Sequence, residues 1–282
     1  MVKLVTVATH SDGYLPWLEK SCEKYNTKLI KLGWNQKWQG YNWKLDLMID
    51  YLKTIDPNEL ICFIDAYDVL LLRPFDEIEQ YYNDIVKLTN KKIIIANDIV
   101  HDKSIKFISK LIFKTCKDLS INSGTYMGKA GDLFKHLNLM IENTQLNDND
   151  QIVYTKYCKK NPDIFYIDHD KIFFLTIQVS LKDILNYGIV INDKKELFYE
   201  GTQPFFIHGN GNSNMDNLIK ALDYKITDED INSLNMDHYN FLKSKFKHYS
   251  SCFYNENIGH DNLIMILIIL LLIYIYLKYP RK

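Results

Sequence analysis

The chain has 282 residues, 47% of them hydrophobic and 24% charged, with a formal net charge of -1. That composition is close to an ordinary globular protein with a sizeable buried core, long enough for one large domain or two small ones, and nothing in its charge points to a nucleic-acid binder. The five cysteines, Cys22, Cys62, Cys116, Cys158 and Cys252, are widely spaced and form no Cys-x-x-Cys pair. This argues against a structural zinc site or a disulfide framework, so reduced thiols on the cytosolic side are expected, with Cys62 as a small core residue.

In chain order, Lys3–Thr9 reads as a first strand, too short and too alternating for a signal peptide. A helix is expected over Leu15–Tyr25, ending near Asn26, and a second strand over Thr27–Leu32. Trp43–Lys53 has helical apolar spacing at Leu45, Met48, Ile49 and Leu52. Leu60–Ile64 is a wholly apolar strand, as a parallel strand covered on both faces should be. A helix over Phe75–Leu88 and a strand over Lys92–Ala96 follow. This alternation implies right-handed βαβ units and an α/β fold whose ligands bind beyond the carboxyl ends of the strands.

The second half is less regular. Strands are expected over Gly124–Met127, Ile164–Ile167, Ile189–Ile191 and Phe205–Ile207, and helices over Asp132–Ile141 and Gln151–Cys158. These segments divide the chain into an α/β domain over 1–225, a polar helical linker over 226–260 and a C-terminal transmembrane anchor over 261–280. The anchor rests on Leu263–Leu277, an unbroken apolar run whose Tyr274 and Tyr276, with Tyr279 beyond it, can sit at the headgroup level while Lys278 snorkels. A buried core helix is the alternative. An anchor there would leave the catalytic part on the cytosolic side.

Two motifs carry chemistry. The apolar run Ile61–Ile64 leads straight into Asp65-Ala66-Tyr67-Asp68, which puts two carboxylates at the end of a central strand. Such a pair can hold a hard divalent cation that neutralises a leaving diphosphate; an ordinary strand-to-turn pair reads the same way locally. Phe205-Phe206-Ile207 runs into His208-Gly209-Asn210-Gly211. Neutral imidazole ligates Mn²⁺-type ions and glycines let backbone amides approach phosphate, although His208 by itself also fits a hydrogen-bonded turn. Between them lie Asn122-Ser123-Gly124 and the run Asn147 to Gln151, in which Asp148 reads as a helix cap or loop residue and Asp150 as functional.

Together these residues resemble the glycosyltransferase domain of the lysyl hydroxylase/collagen glucosyltransferase proteins, including viral relatives. Val7-Ala8-Thr9, Trp38-Gln39-Gly40 with Lys44 following, Phe63 to Val69, Asn122-Ser123-Gly124 with Gly128, Asp150-Gln151 and His208 to Gly211 resemble family motifs in one order over about 3–215. The resemblance implies a GT-A-type, Rossmann-like fold with a mostly parallel central sheet, a UDP-glucose or UDP-galactose donor, and Mn²⁺ on Asp65, Asp68 and His208. It implies donor contacts from Thr9, Trp38, Tyr67 (stacked on uracil), Asn122, Ser123, Gly209, Asn210 and Gly211. Asp150, Asp148 and Lys44 would act at the transferred sugar or the acceptor.

Partners would be the UDP-sugar, a protein or glycan hydroxyl such as hydroxylysine of a collagen-like protein, the membrane, and a second copy as homodimer. The chain departs from the family at Ala96-Asn97-Asp98, where Asn97 stands for a glutamate and the following cysteine and proline are missing. The length leaves no room for the family's hydroxylase domain. Two other readings compete: a membrane-tethered module that binds sugar nucleotide without transfer, and a hydrolase using Asp65 and Asp68.

Overall fold

The computed structural model describes residues 2–230, apart from 102–105, 107–109, 111–112, 143, 145–147, 180–181, 212 and 228. Its first half follows the alternation of the sequence. Strand β1 (Lys3–Val7) pairs in parallel with β2 (Leu29–Leu32) and β3 (Leu60–Ile64), and helices α1 (Leu15–Lys24) and α2 (Trp43–Leu52) make the crossovers. Helix α1 stops where Asn26 turns left-handed at φ 50. Helix α3 (Ile78–Thr89) stops the same way at Asn90, whose N–H returns to the Val86 carbonyl; asparagine tolerates that conformation better than most side chains.

Nine strands form one sheet in the order β2-β1-β3-β6-β5-β8-β11-β4, with β7 (Phe165–Asp168) also paired to β5. Strand β6 (Ile121–Lys129) enters antiparallel between β3 and β5 (Ile93–Val100), so the sheet is mixed at its centre. Strand β5 serves two neighbourhoods. Residues 93–97 pair with β6 and β7, whereas Asp98–Val100 pair in parallel with β8 (Phe174–Gln178), after a register shift between Ile95 and Ala96. Such a bulge bends its strand and re-aims the side chains beyond it. Strand β11 (Phe206–His208) then lies between β8 and β4 (Val69–Leu71).

The link from β3 to β4 fixes the shape. Five strand spacings of about 4.8 Å would separate them by about 24 Å in a flat sheet. The chain from Ile64 to Val69 reaches only about 17 Å. The sheet must therefore curl until β4 lies near the carboxyl end of β3, and Asp65–Asp68 bridges that approach.

Every residue of β3 is buried, and they alternate between two cores. Ile61 and Phe63 pack with α2, α4 (Ala130–Ile141) and α5 (Asp150–Lys160); Leu60, Cys62 and Ile64 pack with α1 and α3. A third core under β8 and β11 joins helix α6 (Asp216–Ala221) and the hairpin β9 (Ile189–Ile191) and β10 (Leu197–Tyr199). Asp168 ties these parts together: its buried carboxylate accepts the amides of Ile172, Phe173 and Phe174 at 3.1, 2.8 and 2.8 Å.

Two expectations are corrected. Among the described residues no helix is long and apolar enough to cross a membrane. Helices α3 and α4, at 12 residues each, rise about 18 Å against a hydrocarbon core of about 30 Å. No described helix therefore supplies the expected C-terminal transmembrane helix of the fold class, the membrane partner or the cytosolic-side placement. Residues 231–282, which hold that segment and most of the expected linker, lie outside the described residues.

The second correction concerns the thiols. Cys116 and Cys158 form a disulfide across 42 residues, whereas Cys22 and Cys62 are free and buried. A disulfide is the mark of an oxidising compartment rather than a reducing one. It clamps the segment entering β6 to the last turn of α5. Replacing both cysteines with serine is expected to lower stability by about 2–4 kcal/mol, because the unfolded chain regains the freedom of that loop. Urea unfolding of the oxidised protein and the double variant checks this; identical midpoints would show that the bond does not form.

A candidate metal and donor site where the sheet folds back

The fold-back of the sheet gathers Asp65, Asp68 and His208. Asp65 leaves β3, Asp68 enters β4, and His208 ends β11. One ligand atom from each lies within 4.8 Å of the others. Backbone bonds hold them: the Asp65 N–H donates to the Gly124 carbonyl at 2.7 Å, and the Gly209 N–H to the Asp68 carbonyl at 2.8 Å. His208 Nε2 stands 3.1 Å from Asp68 Oδ1. That contact lacks hydrogen-bond alignment, and neither ring nitrogen of this buried histidine has a hydrogen-bond partner among the described residues.

Buried polar atoms without a partner are costly, by about 1–3 kcal/mol each. Two carboxylates and an imidazole form a donor set that suits a Mn²⁺-type ion, and a bound cation would satisfy the ring. Gly124 leaves the space open. A Cβ there would lie 2.4 Å from Asp65 Oδ2 and 2.7 Å from His208 Cε1. The residues present therefore fit a divalent cation.

Electrostatics support a charged cluster. Burial alone would lower the His208 pKa, but the carboxylates of Asp68, Asp65 and Asp98 outweigh it and the net shift is upward. Burial raises the Asp65 pKa; Lys44 is the strongest opposing influence, while Asp68 adds to the rise.

Lys44, on α2, joins this trio to the acidic run. Its Nζ lies 3.1 Å from Asp65 Oδ1 and 2.6 Å from Asp150 Oδ2. Burial would lower the lysine pKa, yet the two carboxylates more than reverse it. Asp150 is the first residue of α5 and its Oδ1 accepts the Gln151 amide. The helix cap is Asn149, whose side chain accepts the Ile152 amide at 3.1 Å. Asp148 stands ahead of the cap, half-buried and outside the trio.

The other predicted residues divide into two groups. Tyr67 lies in the turn between the two aspartates; its hydroxyl accepts the Thr9 amide at 3.0 Å and donates to the His10 carbonyl at 3.3 Å. Its ring is held beside the end of β1 and is half-buried. Gly209, Asn210 and Gly211 follow His208, and Ser213 Oγ donates to the Asn210 carbonyl at 2.7 Å. Gly211 has φ +68, and a Cβ would fall 2.6 Å from Gln178 Nε2.

Asn122 and Ser123 are buried, and Asn122 Oδ1 accepts the Gly124 amide at 2.8 Å, a local structural role. Trp38 stands apart, exposed, with its ring edge-on to Tyr41 and Trp43. Sequence reasoning missed Gly124 as the floor of the trio. It also passed over Asp98, whose Oδ1 accepts from Asn210 Nδ2 at 3.2 Å.

Residues 1–229 match the family model described as PLOD GT domain. An uncharacterized protein of Acanthamoeba polyphaga mimivirus is 26% identical over 222 residues, covering 73% of this chain and 45% of that protein. A procollagen-lysine,2-oxoglutarate 5-dioxygenase of Drosophila melanogaster is 26% identical over 253 residues, covering 76% of this chain and 31% of that protein. The chain thus spans less than half the length of these relatives. Among solved structures, a glycosyltransferase involved in glycosylation of the major capsid of PBCV-1 superposes with a TM-score of 0.45 at 10% identity, covering 79% of this chain and 98% of that one.

Proposed function

This chain belongs to the PLOD GT domain family, and from that premise we propose that it transfers a hexose, glucose or galactose, from a UDP-sugar to a hydroxyl acceptor. The observation that carries the proposal is the convergence of Asp65, Asp68 and His208, with ligand atoms within 4.8 Å. Mn²⁺ held there would supply positive charge to the leaving diphosphate. The chain's own residues do the rest. Tyr67, pinned by Thr9 and His10, offers a ring face to uracil. The amides of the Gly209–Gly211 loop stand beside the diphosphate. Lys44, 2.6 Å away, fixes the Asp150 carboxylate in place, so that it accepts the hydrogen bond of the acceptor hydroxyl.

For the acceptor we propose hydroxylysine or galactosyl-hydroxylysine of a collagen-like protein, a reading supported by relatives whose names refer to procollagen lysine. Incubation with UDP-glucose or UDP-galactose, Mn²⁺ and hydroxylysine peptides should release UDP in step with sugar transfer. No release with either donor would overturn the reading. Tyr67→Ala should weaken UDP binding by about 1–3 kcal/mol, the usual worth of a base stacked on an aromatic ring. Unchanged UDP affinity by calorimetry would remove Tyr67 from the donor site.

A further inference from the structure

The two segments that carry the cation ligands are joined by a closed circuit of contacts, and Tyr14 closes it. Tyr14 stands immediately before α1, in the third core with Trp17, Met215 and Leu218. Its amide donates to the Tyr67 carbonyl at 2.8 Å, in the turn between Asp65 and Asp68. Gly13, at φ +51, permits that approach, since a Cβ there would lie 2.7 Å from the Tyr67 carbonyl oxygen. The Tyr14 hydroxyl reaches the other segment: it donates to Asp216 Oδ1 at 2.9 Å and accepts the Met215 amide at 3.0 Å. Met215 in turn lies against the residue after His208, where a Cβ on Gly209 would meet its Sδ at 2.5 Å. The Gly209 amide, bonded to the Asp68 carbonyl, completes the circuit.

We propose that Tyr14 is a positioning residue for the cation site, whose hydroxyl holds the Asp65–Asp68 turn and the His208–Gly211 loop at the spacing the ion requires. This rests on the reading of Asp65, Asp68 and His208 as cation ligands and adds to it what keeps them together. Packing alone does not call for the hydroxyl, because phenylalanine would fill the same place in the core. The hydroxyl serves polar atoms instead. Asp216 and Met215 are 6% and 0% exposed, and one group that both donates and accepts satisfies the carboxylate and the amide together.

Further bonds carry a change at Tyr14 through to His208. Asp216 is held at both oxygens, its Oδ2 by Asn214 Nδ2 at 2.9 Å. Ser213 Oγ accepts the Val179 amide just beyond β8 at 3.0 Å and donates to the Asn210 carbonyl at 2.7 Å. The segment after His208 is thus braced on β8 by Ser213 and on α1 by Tyr14. Metal–ligand distances tolerate only about 0.2 Å, so slack at Met215 and Asp216 takes Gly209 and His208 out of reach of a shared ion.

The test is titration of Mn²⁺ into the full chain as wild type, Tyr14→Phe and Trp17→Phe, with urea midpoints measured beside it. Trp17 lies one turn along α1, and its Nε1 donates to the Lys225 carbonyl at 3.0 Å, a bond beyond α6 and outside the circuit. Both variants are expected to shift the urea midpoint down, since each removes a hydrogen-bonding group that ties α1 to the later chain. Mn²⁺ affinity is expected to fall about tenfold in Tyr14→Phe alone, the lower end of what losing a supporting contact costs. Wild-type affinity in Tyr14→Phe overturns the proposal. So does an equal fall in both variants, which would make Tyr14 a contributor to general stability only. A wild-type chain that binds no Mn²⁺ sinks the cation reading itself and this inference with it. Should Tyr14→Phe not fold, Asp216→Ala decides, because it removes the acceptor of the Tyr14 hydroxyl and leaves the ring in the core. The same fall of about tenfold is expected there, and unchanged affinity overturns the proposal.

Discussion

Gly124→Ala is expected to weaken Mn²⁺ binding by about a hundredfold, at the upper end of what disturbing a ligand's support costs. The added Cβ would stand 2.4 Å from Asp65 Oδ2, 2.7 Å from His208 Cε1 and 2.9 Å from Asn122 Oδ1. Real Cβ contacts essentially never fall below 3.0 Å. The backbone cannot retreat, because the Gly124 carbonyl accepts the Asp65 amide and β3 pairs with β6 through Ile64 and Thr125 on the flanks. The aspartate and histidine must therefore swing away, and ligand distances tolerate only about 0.2 Å.

Overpacking also costs about 1–3 kcal/mol, which the fold can survive. Gly128→Ala is the control. Its Cβ would meet the Lys92 carbonyl at 3.1 Å and Leu133 at 3.3 Å, with no ligand nearby. It should leave Mn²⁺ affinity unchanged. Titration of Mn²⁺ into both variants checks this, and wild-type affinity in Gly124→Ala would show that the trio is not the cation site.

The parts of this architecture legible in the sequence are those written locally. Leu60–Ile64 is an apolar run that stops at a carboxylate, and the strand has those bounds. Asp65, Asp68 and His208 each sit where an apolar strand gives way to polar residues, so their place at strand ends was readable. Their meeting was not derivable from either segment, because it depends on the bend in β5 and the short 65–68 bridge.

Strands β4 and β8 escaped notice because Val69–Leu71 is only three residues long and the apolar run of Phe174–Gln178 is broken by Thr176 and Gln178. Strand β6 starts at Ile121, ahead of the expected Gly124: Asn122-Ser123-Gly124 has the composition of a turn, yet Ile121 and Asn122 pair with β5. The Cys116–Cys158 bond was hidden for the same reason as the site: 42 residues of intervening chain. Resemblance to a family supplied what spacing could not, by placing residues from distant segments around one donor.

Lys44→Met is expected to cost about 3–5 kcal/mol of folding stability near neutral pH, the range for removing one partner of a buried ion pair. Among the described residues Lys44 is the side-chain cation that lies within 4.0 Å of both Asp65 and Asp150, and methionine fills a similar volume without the charge. The loss should depend on pH, with a definite sign. The Asp65 pKa already stands above its ordinary value, from burial first, and Lys44 is the largest influence holding it down. Without Lys44 it rises further.

A carboxyl whose folded pKa is raised favours the folded state while protonated, and that contribution is lost as pH rises through the folded pKa. The deficit of Lys44→Met is therefore largest above the raised pKa and shrinks as pH falls towards the unfolded value of about 4. Wild-type Lys44 stays charged throughout, since its own pKa is raised. Urea midpoints of the two proteins should converge as pH falls from neutral towards that unfolded value. A gap of constant size would mean that lost packing, and not the uncompensated carboxylates of Asp65 and Asp150, accounts for the destabilisation.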